Sequence, residues 1–156
     1  MKKINKVISF VDGFNLYHSI KELGSDKDKK PIPIKNHLKW VDLWCLSSRY
    51  ANKKSQKLIR VLYFSAFATW LPGPYSRHRK YVKELQTRGV EFIKGQFKDK
   101  ERECKTCGAT WVGHEEKETD VNIGIHLLNE AYKNSFDHAI LISADSDLSP
   151  AVKLVK

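Results

Sequence analysis

Two hydrophobic periods alternate along the chain. Ile4 to Val11 is largely apolar and β-branched and stops at Asp12-Gly13, the pattern of a buried parallel strand. Phe14 to Leu23 carries a helical period closed by Gly24, and Ser25 to Pro33 is polar and reads as an exposed loop. His37 to Tyr50 spreads Leu38, Val41, Leu43, Trp44 and Leu46 over a broad apolar face and predicts one helix. Leu58 to Phe67 predicts a second strand, Thr69 to Pro74 a loop, Tyr75 to Arg88 a helix closed by Gly89, and Val90 to Phe97 a third strand. The pattern then breaks from Lys98 to Lys117 into a charged, cysteine-containing insert. A helix from Thr119 to Lys133 and a fourth strand from His138 to Ser143 follow.

Strands alternating with helices predict a parallel sheet covered on both faces, a three-layer α/β/α domain. In such sheets the functional site lies beyond the carboxyl ends of the strands, where their order reverses. Residues 1–156 read as a single domain with an insert at 98–117. Because the chain stops at Lys156 in the first turns of a helix, the C-terminal elements that would finish the sheet are expected to lie beyond it.

Charge sharpens the picture. Lys and Arg number 28 against 18 Asp and Glu, a net +10, which favours a polyanionic partner such as RNA; the blander reading is solubility alone. No apolar run reaches the roughly 20 residues of a membrane helix, and Val7 to Val11 is too short for a signal-peptide core, so a cytoplasmic protein without membrane contact is expected. Three cysteines, an odd number, argue against a disulfide framework.

The candidate chemistry is acidic. Asp12 follows the first strand, Asp145 and Asp147 follow the fourth, and Asp120 sits in the first turn of the helix leading into the fourth. If those strands are neighbours, the four carboxylates share one edge, with Asn15 and Ser143 adding neutral oxygens. Packed like charges repel, and a hard cation, Mg²⁺ or Mn²⁺, relieves that repulsion with oxygen ligands. Taken singly, Asp120 is an ordinary first-turn acid, Asp145 or Asp147 a helix cap and Asp12 a turn residue. Their common address at the sheet edge favours a metal site able to hydrolyse a phosphodiester.

Val7-Ile8-Ser9-Phe10-Val11-Asp12-Gly13-Phe14-Asn15-Leu16, Lys117-Glu118-Thr119-Asp120-Val121 and Leu141-Ile142-Ser143-Ala144-Asp145-Ser146-Asp147-Leu148 together resemble the NYN domain, a branch of the PIN-like nuclease superfamily, in its LabA-like form. The resemblance implies a PIN-like fold and ribonucleolytic cleavage with Mg²⁺ or Mn²⁺. It also implies metal ligation by Asp12, Asp120 and Asp145, support from Asp147, and positioning or substrate contact by Asn15 and Ser143. The family's last motif reads Ser-Gly-Asp-Ser-Asp-Phe; Ala144 and Leu148 depart from it without touching the acids.

Cys104-Lys105-Thr106-Cys107-Gly108 has the form of half a zinc knuckle. Four ligands are needed for a closed Zn²⁺ site, and His114 or a second copy in a homodimer would have to supply the others; the alternative is a hairpin with free thiols. Cys45 is expected on a core face. Arg77, His78, Arg79 and Lys80 form a basic run near the same sheet edge, with Arg77 and Lys80 the candidate phosphate contacts, and Tyr17 and Trp111 candidates for base stacking. A dehalogenase-like phosphatase needs an acid at position 14, which is Phe, and a phospho-receiver needs an acidic pair at the first strand, which is absent. The remaining rival is a non-catalytic RNA-binding or regulatory module that keeps the acidic pocket.

Overall fold

In the computed structural model, which describes residues 3–25, 29–30 and 32–156, all four strands expected from the sequence are present, with ends displaced by up to three residues. Residues 26–28 and 31 of the expected Ser25–Pro33 loop lie outside the described residues. Strands β1 (Asn5–Asp12), β2 (Gln56–Ser65), β3 (Val90–Lys94) and β6 (His138–Ile142) form one sheet in the order β3-β2-β1-β6, every neighbouring pair parallel. Strands β4 (Gln96–Glu103) and β5 (Thr110–Lys117) pair antiparallel as a separate ribbon.

Period-two alternation gives each strand two buried faces. Ile8, Phe10, Leu62 and Phe64 point to one side, against Ile123 and Leu127 of α4 (Thr119–Tyr132) and Ala151, Val152 and Val155 of α5 (Ser149–Val155). Val11, Val61 and Tyr63 point to the other, against Leu16 of α1 (Gly13–Leu23), Leu43 of α2 (Leu43–Tyr50) and Val82 and Leu85 of α3 (Pro72–Thr87). The result is the expected α/β/α sandwich. Phe10 and Phe64 stack at 6.4 Å in its centre, and each fully buried ring contributes about 1.5–3 kcal/mol. Across the other face Ser47 on α2 donates a 2.8 Å hydrogen bond to Ser9 on β1, which satisfies two buried hydroxyls.

Three local expectations are corrected. The single helix expected over His37–Tyr50 is a 3₁₀ helix, Pro33–Trp40, followed by α2; Asp42 breaks them, because its extended backbone lets the carboxylate cap the Cys45 N–H at 2.9 Å. The strand expected to reach Phe97 ends at Lys94, and the insert begins two residues before Lys98, with Gln96 already in the ribbon. Cys45 is exposed rather than turned into the core. No helix among the described residues is long and apolar enough to cross a membrane.

β1, β2 and β3 build the sheet outward in one direction, and the chain then returns to place β6 on the far side of β1. The order therefore reverses between β1 and β6. The far ends of these strands are tied separately: Asp137 accepts from Lys3 Nζ at 2.8 Å and from the Lys6 N–H at 2.7 Å, and Arg60 bridges Glu91 and Glu130.

Candidate functional site

The C-terminal ends of β1 and β6 deliver two of the expected acids directly. Asp12 has the same parity as Ile8 and Phe10, so its side chain faces the α4 side, and it is fully buried. It caps α1, accepting from the Asn15 N–H at 3.0 Å and from Asn15 Nδ2 at 2.5 Å. Ser143 Oγ donates to Asp12 Oδ2 at 2.8 Å and accepts the Asp145 N–H at 3.0 Å, so one hydroxyl links the acids of both strands. Asp145 accepts in turn from the Asp147 N–H at 2.8 Å, as the cap of the turn Ser146–Leu148.

The capping turn requires a tight start to α1. A Cβ on Gly13 would lie 2.6 Å from the Tyr63 ring and 2.8 Å from the Phe64 carbonyl oxygen. Glycine lets the helix terminus press against β2 and holds Asp12 at the sheet edge.

Asp120 enters from α4 and shares a hydrogen bond with Asp145. Burial pushes its pKa up, and the charges of Asp145, Asp12 and Asp147 push it further. A fifth acid joins them. Glu116, near the end of β5, has its pKa raised to about 7, first by burial and then by Asp120 and Asp12. Thr119 donates to Glu116, and Glu118 between them adopts φ 76°, a left-handed conformation unusual for a non-glycine residue. That turn bends the ribbon into α4 and brings Glu116 and Asp120 to the same edge.

None of the five carboxylates has a cationic partner within ion-pair distance among the described residues, although the chain carries a net +10. The donors are all oxygen, which suits a hard divalent cation. Among the described residues, however, no three acidic, histidine or cysteine side chains enclose a single point as ligands of a closed site. The convergence expected from sequence is thus looser than a finished cage. The Asp12 oxygens are occupied by Asn15 and Ser143, and one Asp145 oxygen by the Asp147 amide. An open arrangement of this kind matches the habits of Mg²⁺, which keeps several waters and takes few protein ligands.

The other expected site residues fall elsewhere. Arg77 and Lys80 are exposed on α3, which follows β2. His78 does not belong to a basic run: burial lowers its pKa, and its ring lies 3.3 Å from the Tyr63 hydroxyl. Cys104 and Cys107 sit together at the ribbon tip, where backbone N–H groups of Thr106 and Cys107 lower the Cys104 pKa. His114 is not a third ligand for them. Its Nδ1 lies 2.7 Å from Asp99, its ring stacks on Trp70 at 3.7 Å, and four strand residues, about 13 Å, separate it from Thr110 beside the tip. Tyr17 and Trp111 are both exposed, the first on α1 and the second far out on the ribbon.

Sequence reasoning missed Glu116. Its signal was the run Lys98-Asp99-Lys100-Glu101-Arg102-Glu103, in which charge alternates in sign at period two, as on a two-faced strand. A hairpin built on that strand carries position 116 back to the sheet.

The family model for the NYN domain matches residues 6–156. The chain belongs to the NYN domain family. That places it in the PIN-like nuclease superfamily, in agreement with the parallel sheet and its flanking helices. A stretch of 96 residues is also 26% identical to 6-hydroxy-3-succinoylpyridine 3-monooxygenase HspA from Pseudomonas putida (strain DSM 28022 / S16). It covers 52% of this chain and 30% of that protein, so the match spans less than a third of the relative's length. No solved structure matches the chain.

Proposed function

We propose that this NYN domain is a divalent-metal-dependent ribonuclease that hydrolyses RNA phosphodiester bonds at the edge between β1 and β6. The observation that carries the reading is the set of five acids without cationic partners among the described residues, at the point where strand order reverses in a protein otherwise rich in cations. Asp12, Asp120 and Asp145 would hold Mg²⁺ or Mn²⁺, with Asp147 supporting through water. When bound, the ion supplies Lewis-acid polarisation of the phosphate and a more acidic water.

The protein's own contribution is positional. Ser143 keeps Asp12 and Asp145 in register across the two strands, and Asn15 holds Asp12 in one rotamer. Arg77 and Lys80 attract the phosphate backbone without reading sequence. On this reading the reaction takes place in the cytoplasm, and Cys104 and Cys107 would form half of a Zn²⁺ site that a second copy in a homodimer completes.

A second reading has two observations behind it. An aromatic cavity opens beside Gly13, and the monooxygenase relative is named for a hydroxylated pyridine. On that reading the chain acts on a small heteroaromatic compound.

Labelled single-stranded and hairpin RNAs incubated in Mn²⁺, Mg²⁺ and EDTA, with Asp145→Asn alongside, test the proposal. Cleavage that requires the ion and is lost in the variant is the expected result. RNA bound but uncut by the folded protein would make it a binding or regulatory module, and neither binding nor cleavage would favour the small-molecule reading.

A further inference from the structure

The five-acid edge has a neighbour that the proposed chemistry leaves unused. A cavity of about 390 Å³ lies between α1, the 3₁₀ helix Pro33–Trp40 and α3. Gly13 and Ser65 form part of its wall, so the cavity opens at the same strand ends as the acidic edge, on the α1 and α3 side of the sheet, while Asp12, the residue before Gly13, faces the α4 side. Its volume falls within the range of about 300–1,000 Å³ common to ligand sites.

The walls are rings. Phe14, Tyr17 and Trp40 line it while remaining 43%, 49% and 50% exposed. Such residues are ordinarily buried, as Phe10 and Phe64 are here, and large rings left at the mouth of a concavity mark a binding surface. Tyr63, Tyr75, Tyr81 and Phe97 add to the aromatic lining, and Phe97 belongs to the root of the ribbon, directly opposite Glu116. The Tyr63 hydroxyl and the His78 ring, 3.3 Å apart, offer polar atoms on the wall.

Charge completes the description. Lys39 and Arg77 line the cavity, and among the described residues no Asp or Glu does. No carboxylate among the described residues pairs with Arg77. Among the described residues, a basic aromatic pocket without acids thus shares the strand ends with an acidic edge without cationic partners. Its complement is a flat heteroaromatic ring attached to an anionic group.

We infer that this cavity is a base-binding subsite: it receives the unstacked base of the nucleotide next to the cleaved phosphate, while Arg77 and Lys39 hold the phosphates on either side. This inference rests on the ribonuclease reading for its choice of occupant. Rings of Phe14, Tyr17 and Trp40 stack on any base, because every base presents a π face, so the subsite selects unpaired RNA rather than a sequence. A duplex, whose bases are stacked inside, cannot fill it.

The experiment uses the whole chain in EDTA, so that cleavage plays no part. Fluorescence anisotropy compares a labelled ten-nucleotide oligoadenylate with the same ribose-phosphate chain lacking bases, for the wild type, Tyr17→Ala and Arg77→Ala. The expected result is tighter binding of the oligoadenylate, weakened by about tenfold in Tyr17→Ala, whose binding of the abasic chain is unchanged. Arg77→Ala weakens both. Circular dichroism confirms that the variants are folded; Tyr17 and Arg77 are exposed, so neither substitution opens the core.

Equal affinity for the two chains, or no effect of Tyr17→Ala, overturns the subsite. Saturation by free AMP at concentrations where oligoadenylate does not bind assigns the ring and anion to a free nucleotide and overturns the RNA subsite. The two proposals fail separately. Metal-dependent cleavage unaffected by Tyr17→Ala removes the subsite and keeps the nuclease, whereas base-dependent binding without cleavage keeps the subsite and removes the nuclease.

Discussion

Ser143 is the residue on which the geometry of the acidic edge turns. Its hydroxyl links the C-terminal ends of β1 and β6, donating to Asp12 and accepting from the Asp145 amide. Removing a group that orients ligands typically costs about 10–100-fold in activity. Ser143→Ala should therefore lower the Mn²⁺-dependent cleavage rate by that factor with the fold intact; a loss below twofold in initial-rate measurements would count against this role. Glu116 gives a second prediction at this scale. Its pKa, about 7, lies above the ordinary carboxylate value near 4.5, so the folded state binds the proton more tightly than the unfolded one. Stability is thus greatest below pH 4.5 on this group's account and declines as pH rises towards 7. Glu116→Gln removes that decline. In metal-free buffer at pH 8 the variant should be more stable by about 1 kcal/mol, a value reduced for the side chain's partial exposure, and its Tm higher by about 3 °C. At pH 4 the two melting curves should coincide.

Elements place these residues, and one glycine decides how closely two of them approach. A Cβ at position 13 would meet the Tyr63 ring, the Phe64 carbonyl and the Ser65 Cβ, all within 2.8 Å. Gly13→Ala should destabilise the domain by about 1–3 kcal/mol, read as a lower urea midpoint, and should impair cleavage beyond what instability explains, because α1 and its cap Asp12 must shift. The elements themselves were largely legible in the sequence. Strands buried on both faces, such as Val7–Val11 and Val61–Phe64, announce themselves as continuous apolar runs, and Gly24 and Gly89 mark real helix ends. What escaped had physical causes. Asp42 divides a continuous apolar face by capping α2, and a cap acts through backbone geometry that hydrophobic periodicity does not register. The ribbon β4–β5 buries little, so it has no apolar period to read, and only its charges alternate. Glu116 reaches the acidic edge through the ribbon's return and the left-handed turn at Glu118, a tertiary event with no local signature. Asp12, Asp120, Asp145 and Asp147 were legible because each stands at the end of a recognisable element.

Across the whole molecule the two ends of the sheet do opposite work. At the end away from the acids, Arg60 donates to both oxygens of Glu91 at 2.6 and 2.8 Å and reaches Glu130 at 2.8 Å, tying β2 to β3 and α4. The Arg60 hydrogen bond holds Glu91 below its ordinary pKa. Burial pushes Glu130 up, but hydrogen bonds from Ser135 and Arg60 outweigh it and leave it lowered. Groups with depressed pKa values stabilise the fold above the unfolded pKa, near 4.5, and lose that contribution as pH falls through the folded values. Arg60→Met should cost about 2 kcal/mol at pH 7, mostly by leaving Glu130 buried without its partner, and much less at pH 3; urea titrations at the two pH values measure the difference. Charges at one end of the sheet are thus paired, while the five carboxylates at the other have no cationic partner among the described residues.

The central place of β1 has a consequence for the birth of the protein. β1 is made first, but the strand that flanks it on the acidic side is the last of the six, and the hydrogen bond joining Ser143 to Asp12 spans 131 residues. At ribosomal speeds of about 5–20 residues per second, roughly ten seconds pass between the emergence of the two partners. During that interval β1 can pair with β2 and the sheet can begin to form, yet the acidic edge does not exist. Whatever this edge does, it cannot do until Ser143 and Asp145 have followed Asp12 out of the ribosome.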